Sequence, residues 1–406
     1  MKILVLNAGS SSLKSSLYEL GSDTLPQNPP EPIWSANIDW TVADSSGILT
    51  VKTQETKQKI ELKSEDCDRA IASMLNTLVA GDSQVLNQLS EIDLVGHRVV
   101  HGGAEYHSAT KITSEVKNAI ARLIPLAPAH NPAHLRGIEA IEQLLGEIPQ
   151  IAVFDTSFHS QLPLEAVVYP IPYEWYEKGI RRYGFHGISH QYCSRRTAEI
   201  LNIDLESSRL IVCHLGNGCS LTAIKNGVSI DTTMGFTPLE GLMMGSRSGS
   251  IDPGILIYLM REEGFDADNL AEMLNKASGL KGVSGVSGDM REIKNAIAFG
   301  NQRAQLALDI YIHRLKKAIG AMLTTLGGLD VLVFTAGVGE NNPVIREGAC
   351  KALEFMGLKL DYEQNNSNVT EKNIAQADST VEVIVIHTNE DWAIASECWD
   401  YLATSN

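Results

Sequence analysis

Several things are scarce in this chain of 406 residues, and each scarcity removes a class of function. Its six cysteines (Cys67, Cys193, Cys213, Cys219, Cys350 and Cys398) form no C-x-x-C pair and no regular framework. That excludes a disulfide scaffold and fits free thiols in a reducing cytoplasm, an expectation strengthened by the absence of a leader pattern before the first apolar stretch. No apolar run approaches the roughly 18 residues that span a membrane. Basic residues are outnumbered, 33 Lys and Arg against 49 Asp and Glu, for a net charge of −16. Nucleic acid and anionic membranes are therefore not expected partners, because binding them releases counterions only where Lys and Arg cluster. The pairs His97/His101, His130/His134 and His186/His190 have i, i+4 spacing but lack the Glu of H-E-x-x-H, so a zinc site is not expected. No G-x-S-x-G elbow is present, which speaks against a serine hydrolase.

What remains is a globular composition, 44% apolar and 20% charged, on a chain longer than one hydrophobic core usually serves. Two domains are the natural expectation. Lys2 to Leu17 reads as an apolar strand, a small turn at Asn7-Ala8-Gly9-Ser10-Ser11-Ser12, and a second strand carrying Lys14. Such a turn offers N–H groups and hydroxyls to an anion, with no Cβ at Gly9 in the way. It is not a P-loop, since the second Gly is missing and Lys14 leads into strand rather than helix. An ordinary serine-rich hairpin explains the same stretch equally well.

Leu210 to Ile224 repeats the pattern, with His214-Leu215-Gly216-Asn217-Gly218 at the turn. Two such hairpins suggest duplicated halves facing a cleft. Further strands are expected at Ile92 to Val100, Gln150 to Phe154, Asp330 to Phe334 and Val381 to Ile386. Helices are expected at Asp66 to Val79, Thr113 to Ile124, His134 to Leu145, Pro253 to Arg261 and Ala304 to Leu326, with a closing helix at the end. Ser278 to Gly288 reads as a Gly/Ser loop, and a helix is expected to begin near Val344 after the Thr335 to Pro343 turn. Alternating strands and helices make the class α/β.

Candidate groups gather where strands end. Gly337-Val338-Gly339-Glu340-Asn341, with Gly216 to Gly218 and Asp289-Met290-Arg291, suits a nucleotide, although a short G-x-G is also an ordinary strand-to-helix turn. Arg98 and Arg247 stand near glycines, where a planar guanidinium can meet a carboxylate or phosphate, or form a surface ion pair. His186 could donate to a developing phosphoryl charge or be a satisfied structural histidine. Asp155 and Glu390 end strands, as metal-holding carboxylates and as helix caps both do.

Taken together, Asn7 to Lys14, His97 to Gly103, Pro125 to Pro132, Val153 to His159, Tyr183 to Gly187, His214 to Gly218, Gly245 to Pro253, Gly288 to Arg291 and Thr335 to Asn341 resemble the acetokinase family of the acetate and sugar kinase/Hsp70/actin superfamily. The resemblance implies two duplicated ribonuclease-H-like, actin-like ATPase domains flanking an active-site cleft: 1–155 plus 392–406 as an acyl kinase domain, and 156–391 as a nucleotide-binding domain. It implies a homodimer and reversible phosphoryl transfer from ATP to acetate, giving acetyl phosphate and ADP, with Mg²⁺ or, as the alternative ion, Mn²⁺.

By position, the resemblance puts Asn7 and Glu390 at the metal. Lys14, His214, Leu215, Gly216, Asn217, Gly218, Asp289, Met290, Arg291, Gly337, Val338, Gly339, Glu340 and Asn341 fall at the nucleotide. Arg98 would hold the acyl carboxylate in a pocket of Val100, Ala129, Phe185 and Pro238, and Asp155, His186 and Arg247 would be catalytic. A carboxylic acid is already ionised at neutral pH, so charge neutralisation rather than a strong base must supply the rate, and Asp155 is expected to orient metal or substrate. Three residues depart from the family pattern: Ala129 in place of Leu, Ile188 in place of Thr, and Ser250 in place of Asp, the last as a lost partner of Arg247. Ala129 opens room for a longer acid, so propionate or butyrate is the alternative substrate. The reading from another class is an ATP-driven switch of the Hsp70 or actin type, which would need neither arginine.

Overall fold

Strands and helices alternate along the chain into two sheets, each covered by helices. The structure is a computed structural model and describes residues 1–9, 12–21, 24–40, 47–62, 67–128, 130–367 and 370–405. Ser10, Ser11 and Ala129 lie outside the described residues. The chain divides into two compact units, Met1–Ser157 with Asn389–Asn406, and Phe158–Thr388.

The first unit contains β1 (Lys2–Ala8), β2 (Ser12–Glu19), β3 (Trp34–Asp39), β4 (Gly47–Thr53), β5 (Lys57–Leu62), α1 (Cys67–Val79), β6 (Leu94–Val99), β7 (Thr110–Lys111), α2 (Ser114–Arg122), α3 (Asn131–Leu145) and β8 (Gln150–Phe154). The sheet order is β5-β4-β3-β2-β1-β6-β8-β7, with β1, β6 and β8 mutually parallel and the other pairs antiparallel. Ile3, Leu4, Val5 and Leu6 are all buried, the continuous apolar run expected of a strand covered on both faces. Pro132 sits in the first turn of α3, where its missing N–H costs nothing, so that helix starts three residues earlier than the periodicity predicts.

The second unit contains α4 (Leu164–Val167), α5 (Glu174–Glu177), α6 (Gly187–Leu201), β9 (Arg209–Leu215), β10 (Cys219–Lys225), β11 (Val228–Thr232), α7 (Pro253–Glu262), α8 (Ala267–Lys276), α9 (Gly279–Ser284), α10 (Met290–Ala298), α11 (Gln302–Leu326), β12 (Val331–Thr335), α12 (Ala336–Asn341), α13 (Pro343–Lys351), α14 (Tyr362–Asn366), β13 (Lys372–Asn373) and β14 (Glu382–Val385). Its order, β11-β10-β9-β12-β14-β13, repeats that of the first unit: an antiparallel meander joined through its first strand to two parallel strands. Two local expectations are corrected. The Ser278 to Gly288 loop contains α9, bounded by Ser278 and by Gly285 in the left-handed region, so its small residues act as helix ends. After β12 the helix begins at once at Ala336, whose φ of +65° turns strand into helix within one residue; α13 follows it.

The last helix, α15 (Glu390–Ser405), belongs to the first unit and packs on β1 and β6. The approach is close because Gly96 has no side chain. A Cβ there would lie 2.6 Å from Cys398 Sγ and 2.9 Å from Ile394 Cγ2.

Buried histidines thread both units. His97 Nε2 meets Gln150 Oε1 at 2.6 Å, and His134 donates from Nε2 to the Ala8 carbonyl at 2.9 Å while its Nδ1 accepts from the Val100 N–H. Burial pushes His97, His101 and His159 down to about 4 and His134 down to about 3, so all are neutral in the folded chain.

Two outcomes are expected. Above pH 6.5 folded and unfolded chains both carry neutral histidines. Between about 6.5 and 4 the unfolded chain takes up protons that the folded chain refuses. Stability should therefore fall as pH drops from 7 to 5.5, where carboxylates are still ionised, by up to about 1.4 kcal/mol per pH unit for each such histidine; urea midpoints at the two pH values measure it, and a flat response would contradict the buried neutral set. Gly96→Ala should lower the urea-unfolding free energy by about 1–3 kcal/mol through overpacking. Adding Cys398→Ala should return part of that loss, a coupling absent if the two sites were independent.

Candidate active site

Parallel pairing brings three strand ends together in the first unit. Leu6 pairs with His97 and Arg98 with Val153, so Asn7, Arg98 and Asp155 leave β1, β6 and β8 side by side. Arg98 grips Asp155 in a two-pronged ion pair, Nε to Oδ1 at 3.1 Å and Nη2 to Oδ2 at 2.7 Å, while Nη1 donates to Asn7 Oδ1 at 3.2 Å and stands 3.7 Å from Glu390 Oε2. The Asn7 amide donates to Glu390 Oε2 at 3.3 Å and to Asp391 Oδ1 at 3.0 Å, and Ser16 Oγ donates to Asp391 Oδ2 at 2.7 Å. Burial opposes the charge of Arg98, but the carboxylates of Asp155, Glu390 and Asp391 outweigh it and hold the guanidinium protonated. One cation thus faces three carboxylates, a local excess of negative charge. Lys14 lies directly across from Asn7 on β2 and is exposed. Asp155 has both oxygens engaged by Arg98, which makes it the group that aims the guanidinium.

In the second unit the segment before α6 is clamped from several sides. The Arg182 guanidinium donates to the carbonyls of Ala166, Thr233 and Met234 and to Glu240. Gly184 has φ +76°, and a Cβ there would lie 2.6 Å from the His159 ring. His159 donates from Nε2 to the Phe185 carbonyl at 3.1 Å and accepts from Ser229 on Nδ1. His186 then takes φ +57°, a costly conformation for a side-chain-bearing residue, and α6 starts behind it. Its ring stacks on that of His214 with centroids 4.2 Å apart, and a Cβ on Gly218 would sit 3.5 Å from both His186 Nε2 and Arg247 Nη1.

Arg247 is carried on a loop whose glycines pack backbone to backbone, Gly245 against Gly288. Its Nη1 donates to the Pro238 carbonyl at 3.1 Å, and among the described residues it makes no salt bridge to a carboxylate. Burial pulls its pKa down. A half-buried guanidinium without a carboxylate, in a chain this acidic, is electrostatically ready for an anion. Ser250 contacts Gly241 and the Arg314 side chain, so no bond ties it to Arg247.

A cavity of about 780 Å³ opens beside these groups in the same unit. It is lined by Gly216, Asn217, Asp289, Met290, Arg291, Gly337, Val338 and Asn341 from the sequence-based set, and also by Leu280, Gly288, Lys294, Asn295 and Asn342. His214, Leu215, Gly218, Gly339 and Glu340 are not on its wall. Leu215 is fully buried, and Glu340 accepts from His387 Nδ1 at 2.8 Å and from the Thr388 N–H at 3.2 Å, which fastens α12 to the end of β14. Asp289 caps α10 through the Arg291 N–H and is bridged by the Arg291 side chain, whose hydrogen bond holds the carboxyl below its ordinary range. Of the expected acyl pocket, Val100 belongs to the first unit and Phe185 and Pro238 to the second.

Sequence reasoning overlooked Asp391, Ser16 and Lys294. The adjacent acids Glu390-Asp391 were a visible signal for the first; only strand pairing reveals that Ser16 reaches it, and only folding turns Lys294 toward the cavity.

Three comparisons bear on this geometry. Residues 2–396 match the family described as the Acetokinase family. An acetate kinase of Rippkaea orientalis is 65% identical over 402 residues, 99% of this chain and 100% of the relative, and one of Gloeothece citriformis is 63% identical over 99% of both. Among solved structures, the acetate kinase of Porphyromonas gingivalis is 43% identical with a TM-score of 0.90 over 99% of each chain. A propionate kinase of Francisella tularensis is 39% identical with a TM-score of 0.87 over 98% of each. The fold with its repeated sheet topology, the strand-end groups and the match over almost the whole sequence lead to one conclusion: the chain belongs to the acetokinase family.

Proposed function

We propose that the chain is an ATP:acetate phosphotransferase that makes acetyl phosphate and ADP reversibly by direct in-line transfer. The observation that carries this reading is Arg247, a half-buried guanidinium with no carboxylate partner among the described residues, converging with His186 on Gly218. Two fixed donors at one point suit the equatorial oxygens of a phosphoryl group in transfer. The nearby cavity, lined by Gly216, Gly288 and Gly337 and by Lys294, is given to the nucleotide.

In the first unit Arg98 is given the acid's carboxylate. Asp155 is read as its positioning group rather than as a base, since acetate has no proton to lose at neutral pH. Asn7, Glu390 and Asp391 offer hard oxygen donors, which suits Mg²⁺, with Mn²⁺ as the alternative. No cluster of three or more His, Cys, Asp or Glu arranged for a metal occurs among the described residues. Mg²⁺ is commonly held by one or two carboxylates together with water and substrate phosphates. The chemistry such an ion supplies is Lewis-acid neutralisation of phosphate charge. Among the described side chains five cysteines are buried and free, which suits a reducing cytoplasm.

A homodimer completes the reading. None of the ten residues of α7 is buried, and Ile255, Ile257, Tyr258 and Met260 expose apolar surface. A run of that kind is the usual mark of a partner surface, and a second copy of the chain is the proposed occupant.

Two measurements test these statements. With ATP and Mg²⁺, and hydroxylamine to trap acyl phosphate, acetate should give the highest kcat/KM among C2 to C4 acids. Propionate should trail within the roughly 1–3 kcal/mol that one methylene allows. Propionate ahead of acetate would move the assignment to a propionate kinase, and turnover indifferent to any acid would favour the ATPase switch. By light scattering the chain should run at about twice its 44.2 kDa, and Ile257→Asp with Tyr258→Glu should halve that mass; a monomeric parent chain would refute the dimer.

A further inference from the structure

His186 does not stand alone. Ser220, fully buried on β10, touches two histidine rings at once: His186 Nδ1 at 2.9 Å and His190 Nε2 at 2.7 Å from the same Oγ. A hydroxyl has one proton to give and two lone pairs to receive with, so the three groups cannot be protonated independently. His190 is itself fully buried, and its Nδ1 has no hydrogen-bond partner. Leaving a buried N–H unmatched costs more than leaving a ring lone pair unmatched. The proton of neutral His190 therefore belongs on Nε2, where it is donated to Ser220 Oγ. Burial holds His190 well below its ordinary pKa, which keeps the second proton off.

Ser220 then has its own proton to place, and His186 Nδ1 is the only remaining group its hydroxyl contacts among the described residues. If His186 carried a proton on Nδ1 as well, the hydroxyl would be left with no acceptor inside a dry interior. One arrangement gives both relay protons an acceptor and leaves only the His190 Nδ1 lone pair unmatched: His190 Nε2–H to Ser220 Oγ, Ser220 O–H to His186 Nδ1, and the His186 proton on Nε2. That nitrogen is the one edging Gly218 beside Arg247.

We propose that His190 and Ser220 are positioning residues that fix His186 as its Nε2–H tautomer, so that a neutral hydrogen-bond donor is presented beside Arg247. The relay deepens the phosphoryl-transfer reading and rests on it for the purpose of the donor, though not for its existence. The left-handed residue His186 stands directly before α6, which carries His190 one turn further on, so both rings reach the same hydroxyl.

The test uses full-length protein labelled with ¹⁵N-histidine. Long-range ¹H–¹⁵N correlation spectra, assigned by a His186→Gln variant, report which ring nitrogen carries the proton. The parent should show the Nε2–H pattern at His186. Ser220→Ala should turn it into a mixture and lower kcat about tenfold with KM for ATP and acetate within about twofold, a loss smaller than the roughly 10²-fold of removing a whole donor. His190→Leu should behave like Ser220→Ala. His190→Gln, whose amide can still donate to Ser220, should restore both the spectrum and most of kcat. An Nδ1–H or doubly protonated His186 in the parent at neutral pH, or an unchanged pattern in Ser220→Ala, would overturn the relay. The expected spectra with an unchanged kcat would support the relay and overturn the phosphoryl role given to His186.

Discussion

The first unit hangs on the two-pronged ion pair between Arg98 and Asp155. A buried pair of this kind contributes little net stability, because desolvating both charges consumes most of the Coulomb energy. What it contributes is direction. With Asp155 holding two of its nitrogens, the guanidinium has one remaining corner, and that corner meets Asn7 and Glu390. Three parallel strands and the start of the last helix thereby end on one polar cluster. The close contact of Gly96 with α15 keeps that helix, and so Glu390 and Asp391, against the sheet.

The two arginines make opposite electrostatic statements. Arg98 is enclosed by carboxylates; Arg247 makes no salt bridge among the described residues and is held by the Pro238 carbonyl and a clamped loop. An enzyme that brings two anions together needs cationic groups that are fixed before the substrates arrive, since reorienting them during transfer would add to the barrier. Fixation by backbone contact, as at Gly245 and Gly288, provides that without neutralising the charge in advance.

The same economy of protons runs through the buried histidines. His134 and His159 are neutral, and each has its tautomer chosen by a partner that can only accept: the Ala8 carbonyl for His134, the Phe185 carbonyl for His159. These rings act as rigid hydrogen-bonding struts at neutral pH, and they are the reason the fold should weaken in mild acid.

Much was legible from sequence. Apolar runs ending in polar residues located the strand ends, because a strand covered on both faces must be apolar and its functional groups can stand only where it stops. The duplicated hairpins announced the repeated topology, and the motifs in order announced the family. Helix limits differ from the periodicity at α3 and α9, where proline and glycine serve as helix ends, and at α12, where Ala336 takes a left-handed φ; periodicity registers neither. Tertiary structure alone decided which groups meet. Strand register put Asn7 beside Arg98, and packing turned Glu340 away from the cavity and Lys294 toward it. It also placed one hydroxyl between two histidines far apart from it in the chain. Side-chain chemistry is written residue by residue, but a hydrogen bond needs a distance and a direction, and those exist only once the chain has folded.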